Sequence, residues 1–130
     1  MFLCVTIGVG GVYDGALLSD FCNTVTSEAR FYKYLIGEVL SDVVQMTPLD
    51  YGMDYYNEKV IDGTEPSGEI IHLTIRGHGV CTTTLASEEC SNCLQEAVKD
   101  LNLLCPDNVG GQIQLEDCRI RFENYHFRND

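Results

Sequence analysis

Apolar residues recur along SEARFYKYLIGEVLSDVVQM at Phe31, Leu35, Val39 and Val43, and Ile36, Leu40 and Val44 widen the stripe. That spacing predicts an amphipathic helix. Thr26 or Ser27 is the expected N-cap, Glu28 sits where the positive helix end favours an acid, and Pro48 stops the run. A second stripe (Cys90, Cys93, Leu94, Ala97, Val98, Leu101, Leu104 and Cys105) predicts a second helix, capped by Ser87, with Glu88 and Glu89 behind it, and ended by Pro106. Elsewhere the period is two. In EIIHLTIRGHGV, Ile71, Leu73 and Ile75 point one way and Ile70, His72, Thr74 and Arg76 the other, as in a half-buried strand. Near the end, Ile113 and Leu115 alternate, followed by Cys118, Ile120 and Phe122. The inward parity changes at Glu116-Asp117, which predicts a bulge or bend. Residues 16–25 read as a short strand or an extended segment leading to Cys22. Residues 50–69 read as one edge strand and a loop, with turn chemistry at Asp62-Gly63 and Pro66-Ser67-Gly68. The order strand, helix, strands, helix, strands predicts an α+β fold, an antiparallel sheet with two helices packed on one face.

A chain of 130 residues is one ordinary domain, of a size whose modest core benefits from cross-links. Twenty acidic residues against eight basic ones leave a net charge of −12. A nucleic acid needs a concentrated basic surface, and an anionic membrane attracts basic segments, so neither is an expected partner. No run of about 18 apolar residues exists to span a membrane. Seven cysteines are many for a reducing compartment and point to a secreted, extracellular protein. The number is odd, and Cys4 is the outlier. It lies in MFLCVTIGVGGV, an apolar start followed by small residues but without a basic leader. Residues 1–15 are therefore assigned to a signal-peptide remnant or an N-terminal extension, and residues 16–130 to the domain. No Asn-x-Ser/Thr sequon is present.

Cys90-x-x-Cys93 admits three chemistries. A redox pair belongs at a helix start, as this one does, but the preceding βαβ pattern is missing and both thiols fall on the buried stripe. Zinc would take Cys81, Cys90 and Cys93 with Cys105 or a histidine, yet no second CxxC or HxxxH follows, and His72, His78 and His126 are scattered. Structural disulfides remain, with no metal and no cofactor. Six cysteines allow 15 pairings, among which spacing does not choose.

Cys81-x8-Cys90-x2-Cys93, a further cysteine at 105 and the ending GGQIQLEDCRIRFENYHF resemble the plant ginkbilobin-homologous domain, also called the salt-stress-response/antifungal domain or cysteine-rich repeat. The likeness reaches back to FCNT (Phe21–Thr24) and covers residues 16–127. It implies the pairs Cys22–Cys105, Cys81–Cys90 and Cys93–Cys118, with two helices on a five-stranded antiparallel sheet. It leaves Cys4 unpaired. One copy with no span and no kinase is most similar to the secreted single-domain members. Some antifungal members bind mannose through an Asn, an Arg and a Glu. The matching positions here are Asn23, Gln112 and Glu123, so an uncharged amide stands where the family has Arg.

Each of these three residues also has a plain structural role open to it. Asn23 fits the turn into the first helix, Gln112 a solvent-facing strand, and Glu123 an exposed pair with Arg119 or Arg121. Tyr51, Tyr55 and Tyr56 are close enough in sequence to line one binding face. No Ser-His-Asp order, phosphate loop or carboxylate dyad points to an enzyme. Two functions are expected: a defence-type protein that binds mannose or mannan-type glycans, or an extracellular protein-interaction module of the same fold without lectin activity.

Overall fold

The computed structural model describes residues 12–64 and 66–127. Cys4 and the apolar start of the chain lie outside the described residues. Five strands form one sheet: β1 (Leu17–Cys22), β2 (Asp54–Thr64), β3 (Ile70–Cys81), β4 (Gly111–Leu115) and β5 (Cys118–Glu123). Their order is β1-β4-β5-β3-β2, and every neighbouring pair is antiparallel. Helix α1 (Arg30–Met46) follows β1, and helix α2 (Ser87–Leu104) lies between β3 and β4. The α+β architecture is the expected one.

Both helices cover the same face. Gly77 and Gly79 of β3 face α1, because a Cβ on Gly77 would lie 2.5 Å from Val39 Cγ1 and one on Gly79 2.5 Å from Val43 Cγ1. The absent side chains let α1 lie directly on the sheet. Cys81, on the same side of β3 by alternation, is bonded to α2. Tyr32, Leu35, Val39, Leu40 and Val43 of α1 and Cys90, Cys93, Leu94, Ala97 and Leu101 of α2 then meet Ile75, Ile113, Leu115, Ile120 and Phe122 of the sheet in one core.

Three disulfides fasten α2: Cys81–Cys90, Cys93–Cys118 and Cys22–Cys105, with Cα–Cα distances of 5.8, 6.1 and 5.6 Å. The geometry explains why the CxxC pair does not close on itself. Cys81 and Cys118 are direct cross-strand partners on β3 and β5. Their spacing of about 5 Å matches that of helix positions three apart, so each helical thiol meets its own strand.

Local details differ from expectation where long-range contacts intervene. α1 begins at Arg30, with Ala29 as a cap that makes no side-chain hydrogen bond. Thr26 and Ser27 are instead drawn into backbone pairing with the chain after α2: Thr26 bridges Asn108, and the Ser27 N–H donates to the Asp107 carbonyl at 2.8 Å. Ser87 is already helical, and its hydroxyl donates to the Pro48 carbonyl at 3.3 Å rather than capping α2. Asp62-Gly63 is not a turn. Both residues lie inside β2, paired with His72 and Ile71, and the hairpin turns at Pro66–Gly68, where Gly68 has φ +91°. The parity change at Glu116-Asp117 is a two-residue hairpin between β4 and β5, within which Gln114 pairs with Arg119.

Candidate functional site

The face of the sheet away from the helices carries the polar chemistry. Alternation puts Arg119, Arg121 and Glu123 of β5 there, with Gln112 and Gln114 of β4 and Arg76 and His78 of β3. Cys22 points to the helix side through its disulfide, so Phe21 points to the open side. Register then aligns one row across all five strands: Phe21, Gln112, Arg121, His78 and Tyr56, each the direct partner of the next. Direct antiparallel partners share a face.

All three expected sugar-site residues lie at this face, but their surroundings differ. Glu123 is fully buried at 0% exposure. Its Oε1 accepts from Asn23 Nδ2 at 3.2 Å, and its Oε2 accepts from Arg121 Nε at 3.2 Å. The expected exposed ion pair is thus a buried one on the Glu123 side. Gly110 permits this reach, because any Cβ there would collide with the Glu123 carboxylate. Asn23 is equally occupied: its Oδ1 accepts from the Val25 N–H at 2.9 Å in a local turn, and Asn108 Nδ2 donates to its carbonyl at 2.7 Å. Gln112 is half-buried, and its amide makes no hydrogen bond among the described residues. Gln114, two positions on, donates to the Leu115 carbonyl at 2.7 Å.

Arg121 joins the groups. Its Nη2 donates to the Tyr125 hydroxyl at 3.0 Å, and its guanidinium lies 4.5 Å from the centre of the Phe127 ring. Phe127 and His126 also meet Tyr56 edge-on, so the segment after β5 covers the β3–β2 side of the row. From below, Tyr32 of α1 approaches the same corner. Burial pushes its phenol up to about 12, with the Glu123 charge adding in the same direction.

The three tyrosines near residues 51–56 do not share a face. Tyr51 is fully exposed ahead of β2, Tyr55 turns to the helices and donates to Asp42 Oδ2 at 2.7 Å, and Tyr56 lies on the open side. His78 is buried at 9% exposure, with Nε2 2.6 Å from Asp54 Oδ1, whereas exposed His72 pairs with Asp62. The sequence names Arg121 only as a partner for Glu123, and it does not single out Phe21. Strand alternation beside Cys22 and Ile120 signals their outward direction, but their alignment with Gln112 needs the register.

The chain is thus a two-layer α+β domain, stapled at its second helix by three disulfides and with one open polar sheet face. Residues 19–125 match the Salt stress response/antifungal family model, and the chain belongs to that family. It is 30% identical over 112 residues to the antifungal protein ginkbilobin-like protein of Picea abies, covering 85% of this chain and 94% of that one. With antifungal protein ginkbilobin-2 of Ginkgo biloba the identity is 29% over 114 residues, covering 86% and 78% of the two chains. The fold is similar to the crystal structure of the tandem DUF26 ectodomain from the Arabidopsis thaliana cysteine-rich receptor-like protein PDLP8, with TM-score 0.69 and 25% identity. That match covers 88% of this chain and 51% of the ectodomain.

Proposed function

We propose that this domain is a secreted, defence-type binding module that takes mannose-type glycans on the open face of its sheet. The observation that carries this reading is the Gln112 amide, without a hydrogen bond among the described residues, beside the Arg121 guanidinium on the sheet face that the core does not use. Sugar hydroxyls need both donors and acceptors, and an amide offers both. The three disulfides support an oxidising, extracellular setting, and the antifungal relatives support the defence role. A glycan array with the disulfide-bonded domain tests the reading: mannose-terminated glycans are expected to bind above other sugars. No signal for any mannoside sinks it.

A second reading, an extracellular protein-interaction module without lectin activity, is favoured by one specific observation. Glu123 is fully buried with both carboxylate oxygens engaged, so one of the family's sugar contacts is held within the fold. The similarity to a receptor-like ectodomain agrees with that reading.

A further inference from the structure

We propose that the groove between α1 and α2 binds an uncharged single-chain amphiphile, an alkyl or acyl chain that ends in hydroxyls. The site lies on the helix layer and does not rest on the glycan reading. It starts from a stripe on α1 that is wider than the sheet needs. Val39 and Val43 close on Gly77 and Gly79 of β3. Ile36, Leu40 and Val44 each follow a sheet-facing position by one residue, about 100° around the helix, and face α2 instead. With Val98 and Leu101 of α2 as the other wall and Phe122 of β5 beneath, they line a groove of about 620 Å³. Small-molecule sites usually measure about 300–1,000 Å³. Ile36, Val44 and Val98 are only half-buried, so the groove shows apolar surface to water. Gly37 widens the α1 wall. A Cβ there would meet nothing within 4 Å, so no packing neighbour accounts for a residue that weakens a helix interior.

The two ends of the groove differ. Lys33 of α1 is paired with Asp107 after α2 at 2.6 Å, and the Ser87 hydroxyl at the start of α2 donates to the Pro48 carbonyl after α1. The helices therefore run antiparallel, and the Ser41–Gln45 turn of α1 faces the Ser91–Gln95 turn of α2 across one end. In each turn the Gln Nε2 donates to the Ser Oγ, at 3.2 Å in α1 and 3.1 Å in α2. The two amide carbonyls and the two seryl O–H groups make no further hydrogen bond among the described residues. Together they offer acceptors and donors to hydroxyls. From Val44 to Ile36 the apolar wall then runs roughly 12 Å along α1, the reach of an extended decyl chain. Charge narrows the class. The protein carries 20 acidic residues, yet none lines the groove among those described, and the basic residue that does, Lys33, is already held by Asp107. A cationic head finds no partner there, and an anionic head finds only a neutralised one.

Calorimetric titration of the disulfide-bonded domain with monodecanoylglycerol, below its micelle concentration, tests the proposal. Binding is expected, and about fourfold weaker for each methylene removed from the chain. Decanoate and decyltrimethylammonium keep the chain and change the head, and each is expected to bind at least about tenfold more weakly. Gly37→Leu puts a side chain into the groove and suits a helix better than glycine does. It should weaken monodecanoylglycerol binding at least tenfold, with thermal unfolding no lower than wild type and an unchanged glycan-array profile. Gln45→Ala combined with Gln95→Ala, both on exposed positions, should reduce the preference for the glycerol head. Unchanged affinity in Gly37→Leu overturns the proposal, as does equal affinity for the three heads or no binding to the wild type. A ligand-free dimer in light scattering that Gly37→Leu dissociates would put a second copy in the groove and overturn it as well.

Discussion

The two faces of the sheet are held by different physics. On the helix side, β3 contributes Gly77, Gly79 and Cys81, and the helices come close enough for direct packing and covalent closure. Burial there is complete for Ile75, Ile113, Leu115 and Ile120. On the open side, the same strands contribute Arg76, His78, Arg121 and Glu123, and order comes from directed hydrogen bonds between Asn23, Glu123, Arg121 and Tyr125. A packed apolar layer is insensitive to which polar group lies behind it. A chain of hydrogen bonds depends on every member, because a buried carboxylate that loses a donor is left uncompensated. The helix face thus supplies stability, and the open face supplies a fixed arrangement of donors.

The largest test of that contrast removes a staple. Replacing Cys22 and Cys105 together by Ser opens a link spanning 83 positions. The chain-entropy model predicts a loss of about 4–5 kcal/mol in denaturant unfolding. A loss below about 1 kcal/mol would mean that the helix face holds without its long cross-link.

On the open side, Glu123→Ala strands Asn23 Nδ2 and the Arg121 fork. We expect a loss of about 3 kcal/mol, discounted because the Arg121 side chain is 26% exposed. Glu123→Gln should recover part of it by keeping one acceptor. Equal losses for the two variants would show that the volume of Glu123 matters and its hydrogen bonds do not.

Gly77→Ala drives a methyl against Val39 and Val43 and should cost about 2 kcal/mol by overpacking. Gly63→Ala serves as its control, since a Cβ there meets nothing within 4 Å. Comparable losses at both positions would remove close helix approach as the reason for Gly77.

The smallest effect is a titration. Tyr32 and Tyr55 are both raised from 10.0 to about 12, chiefly by burial; a hydrogen bond to Asp42 adds to the shift for Tyr55. Unfolded tyrosines ionise near pH 10, so the unfolded state loses these protons first. Their contribution to stability is complete below that pH and is lost as pH rises toward 12. Tyrosinate absorbance should show Tyr32 and Tyr55 ionising late in the folded domain, and Tyr55→Phe should remove one late-ionising group.

Much of the fold was legible in the sequence. The stripes Leu35, Val39, Val43 and Cys90, Cys93, Leu94, Ala97, Leu101 are the buried faces of α1 and α2, and the parity of β3 is as the alternation predicts. Caps and turns were less legible. Thr26, Ser27 and Ser87 have the chemistry of caps, but partners distant in sequence took their hydrogen bonds. At the candidate site, Asn23, Gln112 and Glu123 could be named, whereas the burial of Glu123 and its hydrogen bonds to both Asn23 and Arg121 could not.

The sequence by itself determined which segments are helix and strand, which residues turn inward, and that the cysteines staple a scaffold. Hydrophobic period and turn chemistry act within a few residues, so they are written locally. Only the tertiary structure decided which outward side chains stand together. Register between β1, β4 and β5 is set by pairing across some ninety residues of chain, from Phe21 to Gln112, with Arg121 as the next partner. That pairing places Phe21, Gln112 and Arg121 in one row, and it brings Glu123 over Gly110 into the reach of Asn23.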